Sequence, residues 1–400
     1  MSEYKCIPLG ENVEEMFIGP FGSSLKNECF VDENEAYCMV YEQKHAIHKT
    51  MNVETRYVNE QKYNELKRFS VHGGDIIISC RGTIGETFIV PDDAPLGIMH
   101  PSIMKIRLKD GVYDKYYFNL LLKSRLKKHE AEANGSGIKM AISATELGKE
   151  LFPVPMMEEQ QKIAHIIYQI CLVIEKRKQE LLSLDNLVKA RFVEMFGDPI
   201  SNSLESNMLQ MTDVCEIIDG DRGKNYPTQE EFNEKGYCLF LNAKNVTNVG
   251  FNFDKCMFIT KQKDEILRKG KLCRGDVVLT TRGTIGNMAY YTEKIPFEHI
   301  RINSGMVILR MKHEIINEVF FIEQFKMQIA NIKSKIASGS AQPQLPISTM
   351  NRIHILIPDI NSQNQFADFV NQVNKSKVAV QKALDETKLL FDSLMQKYFG

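Results

Sequence analysis

The stretch Gly74–Gly85, GDIIISCRGTIG, returns as Gly275–Gly286, GDVVLTTRGTIG, 201 positions later. Seven of the twelve positions are identical, and four more exchange Ile for Val or Leu, or Ser for Thr. The surrounding chain repeats as well. Tyr37–Ala46 (YCMVYEQKHA) aligns with Tyr237–Val246 (YCLFLNAKNV) at an offset of 200, and Gly19 and Gly22 align with Gly220 and Gly223 at 201. ANGSG at Ala133 resembles ASGSA at Ala337, and Ile142–Ser143 recurs as Ile347–Ser348. Pro155, Gln160 and Ala164 return as Pro358, Gln363 and Ala367 at 203, and Phe196–Gly197 as Phe399–Gly400. A solenoid repeats every ~20–50 residues. Two tandem copies of about 200 residues are instead a duplicated domain, and the drifting offset is what loop insertions produce.

Each copy has two parts. The first ~150 residues mix short apolar runs with Gly, Pro and Asn punctuation. DIIIS and DVVLT read as short buried strands ended by a Gly-rich turn. The segments 113–133 and 316–337 read as amphipathic helices, so an α/β (α+β) domain is expected. The second part is a long helix. Stepping alternately by three and four residues gives Ile163, Ile167, Ile170, Ile174, Arg177, Leu181, Leu184, Val188, Arg191 and Met195, eight of the ten apolar. Adding 203 gives Phe366, Val370, Val373, Lys377, Val380, Leu384, Thr387, Phe391, Leu394 and Tyr398, again eight of ten. A 3.5-residue repeat sustained this long is a coiled-coil seam. The expectation is two helices paired antiparallel, rods of about 50 Å at ~1.5 Å per residue, holding two globular domains apart. Two separate surface helices are the alternative. The expected divisions are a globular domain over 1–152, a helix over 153–200, a second globular domain over 201–355 and a second helix over 356–400.

Composition narrows the function. No apolar run reaches the ~18 residues of a membrane span, and the start MSEYKCIPLG shows no signal-peptide pattern, so a soluble cytoplasmic protein is expected. Nine cysteines with no C-x-x-C pair fit a reducing compartment better than a disulfide framework or a zinc ribbon. The net charge is −1, split as −4 over residues 1–200 and +3 over 201–400. That balance is unlike a strongly basic stand-alone nucleic-acid binder, so local clusters carry the weight. Walker, Rossmann, nucleophile-elbow and H-E-x-x-H motifs are all absent from the sequence. His45 and His48 stand three apart without an evident third ligand, which favours a satisfied polar pair over a metal site. No catalytic residue, metal site or cofactor is expected in this chain.

Binding features recur in both copies. A basic helix containing Lys123, Arg125, Lys127 and Lys128 runs into NGSGIK, with Ser136 and Lys139; Lys326, Lys333 and Lys335 precede SGSAQPQ, with Ser340, Gln342 and Gln344. Lys and Arg neutralise phosphates, small residues let backbone approach, and Gln reads base edges; a solvated helix face is the competing account. Lys44, flanked by Gln43 and His45, matches Lys244, flanked by Asn242 and Asn245, just past a strand. Polar residues that differ around a shared lysine suit two domains reading different sequences, or ordinary loop polarity. In RGTIG, the glycines with Ile84 and Ile285 suit a tight turn, while Arg81 with Thr83 and Arg282 with Thr284 are candidates for DNA contact.

The order of these elements, twice over, resembles the specificity (S) subunit of type I restriction–modification systems across essentially the whole chain. The strand-plus-GTIG phrase, the P-x-x-x-x-Q lead into each helix and the FG helix ends carry the resemblance. DRGKNYP (Asp221–Pro227) lacks the spacing of a phosphate loop but looks like a phrase of that family's target recognition domains, as does VYEQKHAI. This adds Arg222, Lys224, Asn225 and Tyr226 to the candidates. The resemblance implies that each globular domain reads one half of a split, asymmetric site in double-stranded DNA. The helical pair would act as a ruler and dock two methyltransferase (modification) subunits, with restriction subunits joining through them. Modification would be N6-adenine methylation, and S-adenosylmethionine, ATP and Mg²⁺ would belong to the partners. The rivals are a specificity subunit of a methylation-only or phage-exclusion system and a non-catalytic scaffold that binds no DNA. A self-sufficient enzyme and an RNA binder rank lower, lacking cofactor motifs and stacking aromatics respectively.

Overall fold

A computed structural model describes residues 4–81, 83–136, 143–337 and 344–400. The chain divides into two units, Met1–Lys176 with Leu384–Gly400 and Arg177–Ala383. In the first, strands β1 (Val13–Ile18), β2 (Ile76–Ser79), β3 (Thr87–Ile89) and β4 (Ile103–Leu108) form an antiparallel sheet in the order β1-β4-β2-β3. A second sheet is built around Cys38–Tyr41 and Gly97–Met99, which run parallel. Helix α1 covers Lys115–Ser136 and helix α2 Met157–Phe196. All four residues of β2 are buried. Ile76 and Ile78 join the core shared with α1 and α2, whereas Ile77 joins the core toward the parallel strands. A strand covered on both faces favours apolar residues on both, which is why Ile76–Ile78 read as an unbroken run and not as an alternation.

The second unit repeats the plan. Strands β5 (Cys215–Asp219), β6 (Val277–Thr280), β7 (Met288–Tyr290) and β8 (Met306–Met311) lie in the order β5-β8-β6-β7. Cys238–Leu241 and Ile300–Ile302 run parallel. Val277 and Leu279 face the core shared with helices α3 (Glu318–Ala337) and α4 (Ile360–Phe399), and Val278 faces the other.

The helical segments expected at 153–200 and 356–400 are thus helical over Met157–Phe196 and Ile360–Phe399. Strands Leu151–Pro153 and His354–Leu356 precede them, pairing with Cys6–Pro8 and Met208–Gln210. Every named seam position is at least partly buried. In the second unit, Phe192 meets Phe366 at 5.4 Å between ring centroids, and Asp185 Oδ1 lies 2.6 Å from Lys377 Nζ. Positions falling along α2 meet positions rising along α4, so the segments are antiparallel. In the first unit Ile163 and Ile167 share a core with Phe391, Leu394 and Phe399; Ile170, Leu181, Val188, Val370 and Leu384 complete the buried or half-buried seam.

The P-x-x-x-x-Q lead has a specific cause. Gln160 is buried; its Nε2 donates to the Val112 and Pro155 carbonyls at 3.0 and 2.9 Å, and its Oε1 accepts from the Asp114 amide at 2.9 Å. Gln363 does the same with the Ile315 and Pro358 carbonyls and the Asn317 amide. One amide side chain therefore ties the entrance of each short helix to the start of the long one. A second shared tie is bidentate. Arg107 grips buried Asp75 at 2.7 and 2.8 Å, and Arg310 grips Asp276 at 2.9 and 2.9 Å.

Replacing Gln160 or Gln363 by Ala strands three backbone groups in each case. Each change is expected to cost about 1–3 kcal/mol, by similar amounts because the environments match. Denaturant titration of the two single variants measures this.

Candidate nucleic-acid interface

The parallel strands place the candidate loops. Leu241 pairs with Ile302 at the carboxyl ends of their strands, so Asn242–Asn245 and Asn303–Gly305 emerge side by side. The Gly305 carbonyl accepts from the Thr281 and Arg282 amides at 2.8 and 3.2 Å, bringing the RGTIG turn against the same loop. Gly220 packs so closely on the Asn303 carbonyl that any Cβ would collide with it. Arg222, two residues on, donates to Asp219 Oδ1 at 3.0 Å and to the Ser304 carbonyl at 3.3 Å. Arg282 Nε donates to Gln344 Oε1 at 3.1 Å. Arg222, Lys224, Lys244, Arg282, Thr284 and Gln344 are exposed; Asn225, Tyr226 and Asn242 are half-buried.

Within the DRGKNYP loop, Asp221 acts as an internal clamp. It is buried and accepts from the Gly223 amide at 2.8 Å and the Arg268 amide at 2.9 Å. The Gly223 and Arg268 amides hold its carboxyl below the ordinary Asp value. Tyr226 packs edge-on against Phe240 at 5.7 Å. The loop is thus rigid at both ends, and Arg222 and Lys224 project between them.

The first unit assembles an equivalent edge. The His100 amide donates to the Tyr41 carbonyl at 2.9 Å, and the Cys80 amide to the Ser102 carbonyl at 2.8 Å. Gly19 packs on the His100 carbonyl as Gly220 does on Asn303. Burial holds the His100 imidazole below the ordinary His value; the charges of Arg56, Arg81 and Lys44 act the same way and Glu42 opposes them. His100 Nδ1 lies 2.7 Å from Ser102 Oγ. Glu42 pairs with Arg56 and, at 2.9 Å, with Lys44. Burial pushes its carboxyl up, but the two cations outweigh burial and hold it below the ordinary Glu value. Arg81 and Thr83 are exposed, Gln43 and Lys44 half-buried.

The turn itself is structural. Gly85 and Gly286 have φ of +86° and +90°, a region natural to glycine, and their amides donate to the Ser79 and Thr280 carbonyls at 2.9 Å. Ile285 is buried and Ile84 packs against the core. The turn leans on the basic helices, with Gly85 against Leu126 and Gly286 against Ile329. Lys127, one residue past Leu126, is exposed. The side chains of Ser136 and Lys335, and all of Lys139, Ser340 and Gln342, lie outside the described residues.

Two candidates turn inward. His45 is fully buried and its Nδ1 accepts from the Glu42 amide at 3.0 Å. Asn245 is buried, accepts from the Asn242 amide and donates to the Asn252 and Lys255 carbonyls. Both are therefore corrected from contact residues to supports: each closes the turn after its strand and presents the neighbouring lysine. His48 is exposed, and among the described residues no three His, Cys, Asp or Glu side chains gather as a metal site. No described helix is long and apolar enough to cross a membrane. Sequence comparison missed His100 and Asn303, because a His-to-Asn exchange looks like divergence; only the shared carbonyl contacts of their loops reveal equivalence.

Replacing Asp221 by Ala is expected to accelerate amide exchange at Gly223 and Arg268 and to cost about 1–3 kcal/mol. Because folding lowers its pKa, the clamp contributes fully above the ordinary Asp value of 3.8 and is lost as pH falls through the lower folded value. Exchange measured on the wild type along an acid series checks the sign.

Known proteins match this arrangement. A family model described as the type I restriction modification DNA specificity domain matches residues 12–184 and again 204–387. The type I restriction enzyme MjaIX specificity subunit of Methanocaldococcus jannaschii is 23% identical over 360 residues, spanning 86% of this chain and 80% of that protein. The EcoBI specificity subunit of Escherichia coli is 20% identical over 357 residues, spanning 82% and 73%. The crystal structure of a type I restriction–modification S subunit from M. genitalium aligns over 100% of this chain and 97% of its own, with a TM-score of 0.56 and 17% identity. A chain from a structural study of complex assembly and conformational transition in a type I system covers 100% and 98%, with a TM-score of 0.55 and 14% identity. At these identities the two structures speak to the fold.

Proposed function

The chain belongs to the type I restriction–modification DNA specificity family, and on that premise we propose that it reads a bipartite, asymmetric site in double-stranded DNA, one globular domain per half-site. One observation carries this. Both units build the same loop frame at the ends of their parallel strands, yet its accessible positions differ: His100 against Asn303, Gln43 against Ala243, and Phe21 against Arg222. A common frame with different tips is what two readers of different sequences need. Arg81 and Arg282, shared by both, suit the phosphate contacts that set register without reading sequence.

The chain is the specificity subunit, and the chemistry falls to its partners. We assign S-adenosylmethionine, ATP and Mg²⁺, and the N6-methylation of adenine, to modification and restriction subunits in a prokaryotic cytoplasm. The long helices support docking of two copies of one modification subunit. Leu187 and Leu390, 203 residues apart, are off the seam and 47% and 50% exposed, so each long helix offers an accessible apolar residue at an equivalent position, which suits equivalent contacts with two copies of one partner.

The test is to express the chain with its genomic neighbour methyltransferase in a methylation-free host and to map modified adenines by single-molecule sequencing. A two-part motif with a fixed gap, modified in both halves, is expected. Exchanging residues 1–152 should change one half alone. Arg282→Ala should weaken binding by a similar factor on all duplexes and lower the salt slope by about one, as loss of a phosphate contact does. A soluble complex that leaves no new methylation overturns the reading.

A further inference from the structure

We propose that Phe21 is a specificity-determining residue of the first half-site, its ring packing on the 5-methyl group of a thymine, with Arg222 holding the equivalent position in the second domain. This rests on the DNA-reading function above. Phe21 is 86% exposed. Exposure alone decides nothing, since single apolar side chains are common on protein surfaces. Its setting is what matters.

The ring is carried by a loop that has little freedom. Gly19 is locked onto the sheet by its amide, which donates to the Ile103 carbonyl at 2.9 Å, and by its packing on His100. Pro20 is buried, and its ring fixes its own φ near −65°. The Phe21 carbonyl accepts from the Ser24 amide at 2.8 Å, and Leu25 is buried in the core. Phe21 is therefore held out beside the His100 loop by anchors on both sides. An aromatic ring with two rotatable bonds loses little entropy when it is covered, so a rigid mount of this kind favours use as a contact.

The duplicate gives the chemistry. At the matching position Arg222 lies over the Asn303–Gly305 loop, whose Gly305 carbonyl also receives the Arg282 amide. The second domain thus offers a guanidinium where the first offers an apolar ring. A guanidinium suits guanine O6 and N7 in the major groove, and the apolar feature available there is the thymine methyl. Exchanging Arg for Phe on one frame changes the base that the position favours.

The experiment uses the whole chain bound to its methyltransferase subunits and duplexes built on the mapped motif. Each thymine of the first half is replaced singly by deoxyuridine, which removes only the methyl. At one position wild type is expected to bind the uracil duplex about four-fold more weakly, the effect of one buried methyl group. Phe21→Ala should bind both duplexes equally, and substitutions in the second half should affect the two proteins alike. Phe21→Arg should shift that position of the methylated motif toward guanine and leave the other half unchanged. No thymine at which wild type detects the methyl, or undiminished discrimination by Phe21→Ala, would each overturn the proposal. Sequence-independent binding by the wild type would instead remove the DNA-reading function itself. Phe21 supports no core, so loss of fold does not confuse the result.

Discussion

Neither globular core is closed by its own copy of the repeat. The first core is completed by Phe391, Leu394 and Phe399 from the second long helix, and the second by Val188, Phe192 and Phe196 from the first. Phe192 is fully buried among the rings of Phe196, Phe320 and Phe366 at 5.2 to 5.4 Å. Truncating such a residue costs about 3–5 kcal/mol, a large part of the stability of an ordinary domain. The long helices are therefore structural members of both units. Their 3.5-residue pattern is retained because it fills the core of each unit.

That constraint separates what the two copies must share from what they are free to change. Gln160 and Gln363, Asp75 and Asp276, and Arg107 and Arg310 hold the helix entrance and the central strands in each unit. They make the same hydrogen bonds in both, so each pair is bound to one residue type. The loops beyond the parallel strands have a looser requirement. Their backbone must return to the amides of Cys80 or Thr281, and a close glycine must cover the first carbonyl. Side chains at the tips are outside these demands, and there the copies part company.

The same division explains how much the sequence disclosed. The duplication, the buried strand ending in GTIG and the long seam were legible because glycine geometry, two-sided burial and helical periodicity each leave a pattern within a short window. Gln160 was visible as a repeated letter, but its three backbone partners lie at Val112, Asp114 and Pro155, and no local window joins them. His45 and Asn245 looked like polar tips beside a shared lysine. Burial of a polar residue depends on a carbonyl ten positions on, such as that of Lys255, and sequence polarity alone points outward. Phe21 was silent for the opposite reason: an apolar residue is read as core unless its surroundings show otherwise.

Near-neutral charge acquires a physical meaning at these edges. Lys44 is paired with Glu42, Lys49 with Glu86 at 3.2 Å, and Arg222 with Asp219. Each acid orients a cation and offsets part of its charge. A paired cation meeting a phosphate would release fewer counterions than a free lysine, so binding through it would depend less steeply on salt. Non-specific attraction falls with it, whereas base-edge contacts keep their worth. A reader built this way gains discrimination by weakening the background that every duplex shares. It depends in turn on rigid loops, because a preorganised contact keeps more of its binding energy than one that must first be ordered. Asp221, Pro20 and the Gly19 and Gly220 contacts supply that rigidity in a chain whose net charge is only −1.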